Sequence, residues 1–561
     1  MKTTKKLLAL LLALSMLFAL GLTAAADDPD GSKGVAGIEN PTVSVGNIAV
    51  GDTVRAYKLI SYDADYNSYV YYEDFGKALN NYRHTQNETL DDVMVRMSED
   101  EVAAVLGQYA GEVQAGHPSC TLPAPTAAET AGEGGKVSLT LEPGYYLLLV
   151  ETLVENSKIY NPMSIFVRVK DGKLSVYGGG ALLNGDEPAM NAKSAAAPQI
   201  AKRVSDNSGV GAEWKTTAAT PVGETLSFYV RVEVPKFTGI TDMSTLKLTD
   251  TLDGVKYVDG SAKVYRAESG NIFAVEVTDA LTETVGNYED GAQTVDFALN
   301  YGKLLSTVGT VDVYVRYQAV VMPDAAKILR TVDAAAGTSE QFAANGVKLT
   351  YASNLEPENE KSTAVAETKI YNYAFELKKY STEVTPEGEL IPVAGAGFTV
   401  YTDKTAKTPL KFVLDGAYYR PALPTETEGV VTEITAPCVV RGLDIGTYYL
   451  TESTVPSGYY APKGDFKLEL NARRDAASTL TGRLEAGQIS NEDDADRLLI
   501  NGSSINALEL NRYDFGLKNS STPILPTTGG VGTALFTVAG VALMAAAVWL
   551  FFLRRRKNSE E

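Results

Sequence analysis

The segment TLSFYVRVEV, residues 225–234, alternates without a break: Leu226, Phe228, Val230, Val232 and Val234 take every second position. A helix would scatter these five side chains around its axis, whereas an extended strand puts them on one face, so the pattern demands a half-buried strand. VDVYVRY, 311–317, repeats it with Val311, Val313, Val315 and Tyr317. Gly, Asn, Asp and Pro separate such runs and supply turns. The chain therefore predicts a mainly β protein of tandem Ig-like β-sandwiches.

Residues 73–113 break the pattern, with apolar residues at helical spacing and Ser98 and Glu101 forming a capping box ahead of VAAVLGQYA. The first domain is thus expected to carry added helices. Two composition shifts divide the chain. NAKSAAAP, 191–198, is small, polar and proline-ended; LEPENEKSTAVAET, 355–368, is charged and poor in large apolar residues. The expected domains are 27–195, 196–362 and 363–521.

Both ends carry apolar runs. Lys2, Lys5 and Lys6 precede Leu7–Leu22 and then Ala24, Ala25 and Ala26, the order of a secretory signal covering 1–26. Near the other end, 531–553 is free of charge and long enough to cross a bilayer core of about 30 Å as a helix. Arg554, Arg555, Arg556 and Lys557 open a basic tail, 554–561, which is retained on the cytoplasmic side. Just before the span stand Leu525, Pro526, Thr527, Thr528 and Gly529. Proline holds this segment extended and glycine leaves the following bond uncrowded, so it can enter a protease-like groove as an unpaired strand.

The net charge of −20 argues against nucleic acid or an anionic membrane surface as the main partner. Cys120 and Cys438 are the only cysteines and lie far apart, so an exported chain has no disulfide framework here. His84 and His117 stand away from any hydrolase signature, and neither a phosphate loop nor a metal-ligand spacing is present. Neither a cofactor nor a metal is expected.

LPTTG followed by an apolar span and a basic cluster resembles the LPXTG sorting signal of Gram-positive surface proteins. The resemblance implies that a sortase cleaves between Thr528 and Gly529, holds Thr528 as a thioester and passes it to an amine. That amine belongs to peptidoglycan or to a lysine of another subunit. The membrane is then a partner only until sorting, and the destination is the cell surface, covalently attached to the wall.

GTYYLTESTVPSGYYAP, 446–462, resembles the E-box of the collagen-adhesin B-type domains of sortase-assembled pilins, with Glu452 as the box glutamate. In YAFELKKYS, 373–381, Phe375, Leu377 and Lys379 share a face, which turns Lys379 rather than Lys378 inward. RYDFGLKNSS ends on Asn519, where that family has its partner asparagine. LKLTDTLDGVKYVDG, 246–260, resembles the Asp-Thr-Leu segment of the pilin D2 domain, with Asp250 as the acid and Lys202 inward in PQIAKRV. In NGVKLTYASN, Asn345 fits the family pattern better than Asn354.

The resemblance implies spontaneous amide bonds, Lys202 to Asn345 and Lys379 to Asn519, promoted by Asp250 and Glu452. Burial disfavours a charged amine and a charged carboxyl alike, so the lysine becomes a nucleophile while the acid polarises the amide and shuttles protons. The plainer readings are an ordinary Lys379–Glu452 salt bridge and a turn-capping Asp250. Each bond would join the first strand of its domain to the last and close a loop of roughly 140 residues, an effect of about 5 kcal/mol.

Polymerisation needs a further lysine. Lys193, in MNAKSAAAPQIAK, is the best-placed candidate, although the Tyr-Pro and Asn that flank the family's lysine are absent and a plain linker lysine is the alternative. The first domain resembles pilin N-terminal domains loosely through PGYYLLLVET and YNPMSIFVRV; Glu151 takes an E-box-like place without an assignable lysine. The expectation is a structural pilus subunit, most simply the shaft, with other pilin subunits as partners and no activity on other molecules. A minor tip or base pilin or a monomeric wall-anchored adhesin binding a host surface, and a surface hydrolase on pilin-like stalks, are the rivals.

Overall fold

In the first unit, the strand Gly144–Glu151 is buried along almost its whole length, as its unbroken apolar sequence GYYLLLVE requires of a strand covered on both faces. It lies inside a seven-stranded sheet beside Thr53–Asp63 and Met163–Lys170. On one face, Val54, Leu148 and Ile165 meet Val43, Val45 and Leu139 of a three-stranded sheet. On the other, Leu147, Leu149 and Phe166 meet Val93 and Met94 of helix α1, Leu90–Arg96. The computed structural model of the chain describes residues 39–521 with interruptions, the longest at 72–84 and 106–122, and a helix at 531–557. The signal segment 1–26, Ser98, Cys120, both histidines, Asn354 and the 525–529 motif lie outside the described residues. Helix α1 carries its own capping box, Thr89 with Asp92.

Nine strands build the two following units: β1 (Gln199–Ser205), β2 (Thr225–Val234), β3 (Met243–Asp253), β4 (Val311–Val321), β5 (Ala343–Ser353), β6 (Ala366–Tyr371), β7 (Tyr373–Val384), β8 (Gly446–Thr454) and β9 (Arg512–Asn519). In the second unit β1, β2 and β4 run antiparallel in one sheet, while β6, β5 and β3 are neighbours in the other. Phe228, Val230 and Val232 of β2 are wholly buried and pack with Leu248, Phe297, Val315 and Leu349 between the sheets. The strict alternation of β2 is therefore the sandwich interior seen in one dimension.

In the third unit β7 lies between Cys438–Leu443 and β9, which runs parallel to it. The facing sheet contains Ala396–Tyr401, β8, Phe466–Arg474 and Leu480–Ser490. Phe375, Leu377, Phe515 and Leu517 meet Phe398, Leu450 and Leu468 across the interior. Cys438 is a free, half-buried thiol.

Both stretches whose composition reads as linker are hydrogen-bonded. Ala189–Asn191 pairs with Thr42–Gly46, and Ser194–Ala196 pairs with Lys158–Tyr160. Lys361–Ser362 and β6 both pair with β5, so Asn345 is on a strand followed by two more in its own sheet rather than on the last one. β6 then passes through Asn372 directly into β7. The joint is tight: Val222 N–H donates to the Gly442 carbonyl at 2.9 Å, and a Cβ on Gly442, at φ 78°, would lie 2.7 Å from Val222 Cγ2. Helix α2, Val531–Lys557, is long and apolar enough to cross a membrane over Phe536–Arg555.

Candidate functional site

Lys202 sits in β1 with Ile200 and Val204 on its face, and that alternation drives its side chain inward, leaving it 1 % exposed. The Phe228 and Tyr317 rings, stacked at 5.4 Å, place their centroids 5.8 Å and 5.6 Å from its Nζ. Such an enclosure strips water from the amine, and burial pulls its pKa down to about 8 against the opposing pull of Asp250.

Asp250 and Asn345 come from neighbouring strands of the facing sheet. Asp250 of β3 is opposite Val347 of β5, and Asn345 is opposite Leu252, so the two side chains are diagonal neighbours on one face. Lys202 Nζ donates to Asp250 Oδ1, and to Asn345 Oδ1 at 2.5 Å. Tyr317 of β4 closes the circuit. Its hydroxyl donates to Asp250 Oδ2 at 2.5 Å and accepts from Asn345 Nδ2 at 2.8 Å. All three partners of the lysine are buried, and burial with Asp250 alongside holds the Tyr317 phenol well above its ordinary range.

The third unit arranges the same residue types differently. Lys379 of β7 is 2 % exposed while Lys378 is exposed, in the phase that the alternation of β7 sets. Its Nζ donates to Glu452 Oε2 at 3.0 Å and stands 5.1 Å from the Phe398 ring centroid. Asn519 Nδ2 donates to Glu452 Oε1 at 2.6 Å. Here lysine and asparagine share a sheet, and β8 of the facing sheet brings the acid. Burial again lowers the amine to about 8, with Arg497 adding to the effect and Glu452 opposing it. Asn519 Oδ1 is buried without a hydrogen-bond partner among the described residues.

Both clusters thus present a weakly basic amine, a bridging carboxyl and a side-chain amide in an enclosed site, the groups that aminolysis of an amide needs. Sequence reasoning passed over Tyr317, which periodicity counts as one more apolar position. The available signal was chemical, since an inward tyrosine must find a partner for its hydroxyl.

The remaining predicted residues are placed elsewhere. Lys193 is exposed between two short strands, and its carbonyl accepts from Asn161 N–H at 2.9 Å. Glu151 is about a third exposed and holds Arg55 through contacts of 2.5 Å and 2.9 Å, a surface ion pair rather than an enclosed acid. Among the described residues no group of three or more His, Cys, Asp or Glu could hold a metal.

Residues 518–560, which begin at the end of β9 and include α2, match the family of the LPXTG cell wall anchor motif. The chain ends in a cell wall anchor signal. The anchored units are exported, and they stand on the cell surface. No curated protein matches the chain. Among solved structures it is similar to the T6 backbone pilin of serotype M6 Streptococcus pyogenes, at 15 % identity and a TM-score of 0.49, covering 87 % of this chain and 100 % of that one. It is also similar to the major pilin SpaA of Corynebacterium diphtheriae, at 12 % identity and 0.44, covering 86 % and 100 %. The major pilin subunit BcpA of Bacillus cereus matches at 12 % and 0.35, again covering 86 % and 100 %.

Proposed function

We propose that this chain is a covalently polymerised pilus subunit whose second and third units are welded by Lys202–Asn345 and Lys379–Asn519 amide bonds. One observation carries the reading: two separate sandwiches each bury a lysine against a carboxyl that shares hydrogen bonds with the lysine and with an asparagine, directly or through one hydroxyl. An ordinary buried ion pair needs no asparagine. In the reaction, neutral Nζ attacks the asparagine Cγ, the acid takes a proton from the amine, and ammonia leaves. Asp250 and Glu452 are the promoting acids.

Sorting supplies the second kind of covalent link. A sortase cuts Thr528 from Gly529 and transfers Thr528 to a lysine of the next subunit, or to peptidoglycan for the last one. The exposed position of Lys193 suits it to be that lysine.

The test is electrophoresis of cell wall extracts. A ladder of high-mass species that disappears in Lys193→Ala supports the shaft and the acceptor together. An unchanged ladder removes Lys193 from the role, and a wild type with a single band is a monomeric wall-anchored protein.

A further inference from the structure

The two clusters solve one geometric problem with different residues. In the third unit Glu452 spans lysine and amide by itself, one oxygen on Lys379 Nζ and the other on Asn519 Nδ2. Asp250 is one methylene shorter. Its Oδ1 accepts from Lys202, but its Oδ2 meets the Tyr317 hydroxyl, and that hydroxyl, not the carboxyl, touches Asn345 Nδ2. Nδ2 is the atom that must leave as ammonia.

We propose that Tyr317 is a catalytic residue of the second unit, carrying a proton from Asp250 to the departing nitrogen of Asn345. The proposal rests on the cross-link reading above and adds to it a residue that the third unit lacks. The proton balance closes within the four side chains. Lys202 starts as the neutral amine and Asp250 as the acid, with its proton on Oδ2. Nζ attacks Cγ; one Nζ proton passes to Asp250 Oδ1 while the Oδ2 proton passes to the Tyr317 oxygen and the Tyr317 proton to Nδ2. In the planar amide Nδ2 can only donate; once Cγ is tetrahedral it has a lone pair and accepts. The C–N bond then breaks, ammonia departs, and Asp250 and Tyr317 end with the protons they began with. The phenol's raised pKa suits this role, because the hydroxyl relays a proton without resting as a phenolate.

Burial makes the hydroxyl indispensable rather than decorative. Asp250 and Asn345 are both fully buried, so bulk water has no route to replace it. The ring itself packs on Phe228 at 5.4 Å and on Phe297 at 5.4 Å, and phenylalanine would keep both contacts.

The experiment follows cross-linking in the exported chain by intact mass and by peptide digestion, wild type first. Wild type is expected to have lost two ammonias. Tyr317→Phe should retain the Lys379–Asn519 bond, which shows that the chain folds, and form the Lys202–Asn345 bond about a hundredfold more slowly or not at all. Asp250→Glu combined with Tyr317→Phe should recover that bond, because the longer carboxyl reaches Nδ2 as Glu452 does. Cross-linking of Tyr317→Phe at the wild-type rate overturns the proposal. Loss of the bond without recovery in the double variant also overturns it, by reducing Tyr317 to a packing role. A wild type in which Lys202 is free, by contrast, overturns the cross-link reading itself.

Discussion

Lys379 and Asn519 stand on adjacent parallel strands two residues out of step, Lys379 opposite Leu517 and Asn519 opposite Ser381. Force entering the third unit at Tyr373 and leaving beyond Asn519 therefore runs along β7 to Lys379, across the proposed bond and out, bypassing the residues between. In the second unit the same path runs from β1 to β5, between sheets instead of within one.

Removing one promoting acid should expose this path. Glu452→Ala is expected to leave Lys379 and Asn519 unjoined, so that pulling on single molecules releases an added extension on the order of 500 Å, the contour of roughly 140 residues. The intact chain should show no such step from either unit. A wild type that unravels as far as the variant contradicts the load path.

Asn345→Ala removes the second unit's bond while leaving the lysine enclosed. Loss of a closed loop this long is expected to cost about 5 kcal/mol, or roughly 10–20 °C in melting temperature. The variant should also gain a pH slope that wild type lacks. Lys202, with its pKa lowered to about 8 when folded, is neutral there while the unfolded chain still holds the proton, so unfolding takes up a proton and rising pH favours the folded state. That gain is complete above the ordinary lysine range near 10.5 and is lost as pH falls to about 8. Between about pH 8 and about pH 9.5, before unfolded tyrosines ionise, stability should rise by about 2 kcal/mol. Denaturant melts across that window give the answer, and a flat or falling profile contradicts it.

Asp444 sits at the joint between the second and third units, where burial, with Asp206 and Glu224 nearby, raises its pKa to about 6. A raised carboxyl contributes fully below its unfolded value near 3.8 and loses that contribution as pH rises through 6. Its Oδ1 accepts from Ile445 N–H at 2.7 Å, a bond that asparagine keeps. Asp444→Asn is therefore expected to stabilise the chain by about 1–2 kcal/mol at pH 7 and by nothing near pH 4. Thermal melts at the two pH values check this; a variant less stable than wild type at pH 7 contradicts it.

Much of the architecture was legible because a strand's period of two is an absolute statement about sides. The phase of β2 puts Phe228, Val230 and Val232 inside, and the phases of β1 and β7 put Lys202 and Lys379 among them. What composition could not reveal is backbone pairing. Small or charged residues hydrogen-bond through their main chain as well as large ones, so 191–198 and 361–371 read as linkers yet pair with Thr42–Gly46, Lys158–Tyr160 and β5. The capping box Thr89–Asp92 escaped notice because its acid is one carbon shorter than the usual glutamate. Tyr317 escaped for a related reason: its ring obeys the apolar pattern, and only the facing sheet's Asp250 and Asn345 give its hydroxyl meaning.

The most direct test of the account is the intact mass of the exported chain spanning residues 27–528, paired with a digest that recovers the peptides around both lysines. The account predicts a mass short by two ammonias, with Lys202 joined to Asn345 and Lys379 to Asn519. The full unmodified mass, with both lysines recovered as free amines, would contradict it.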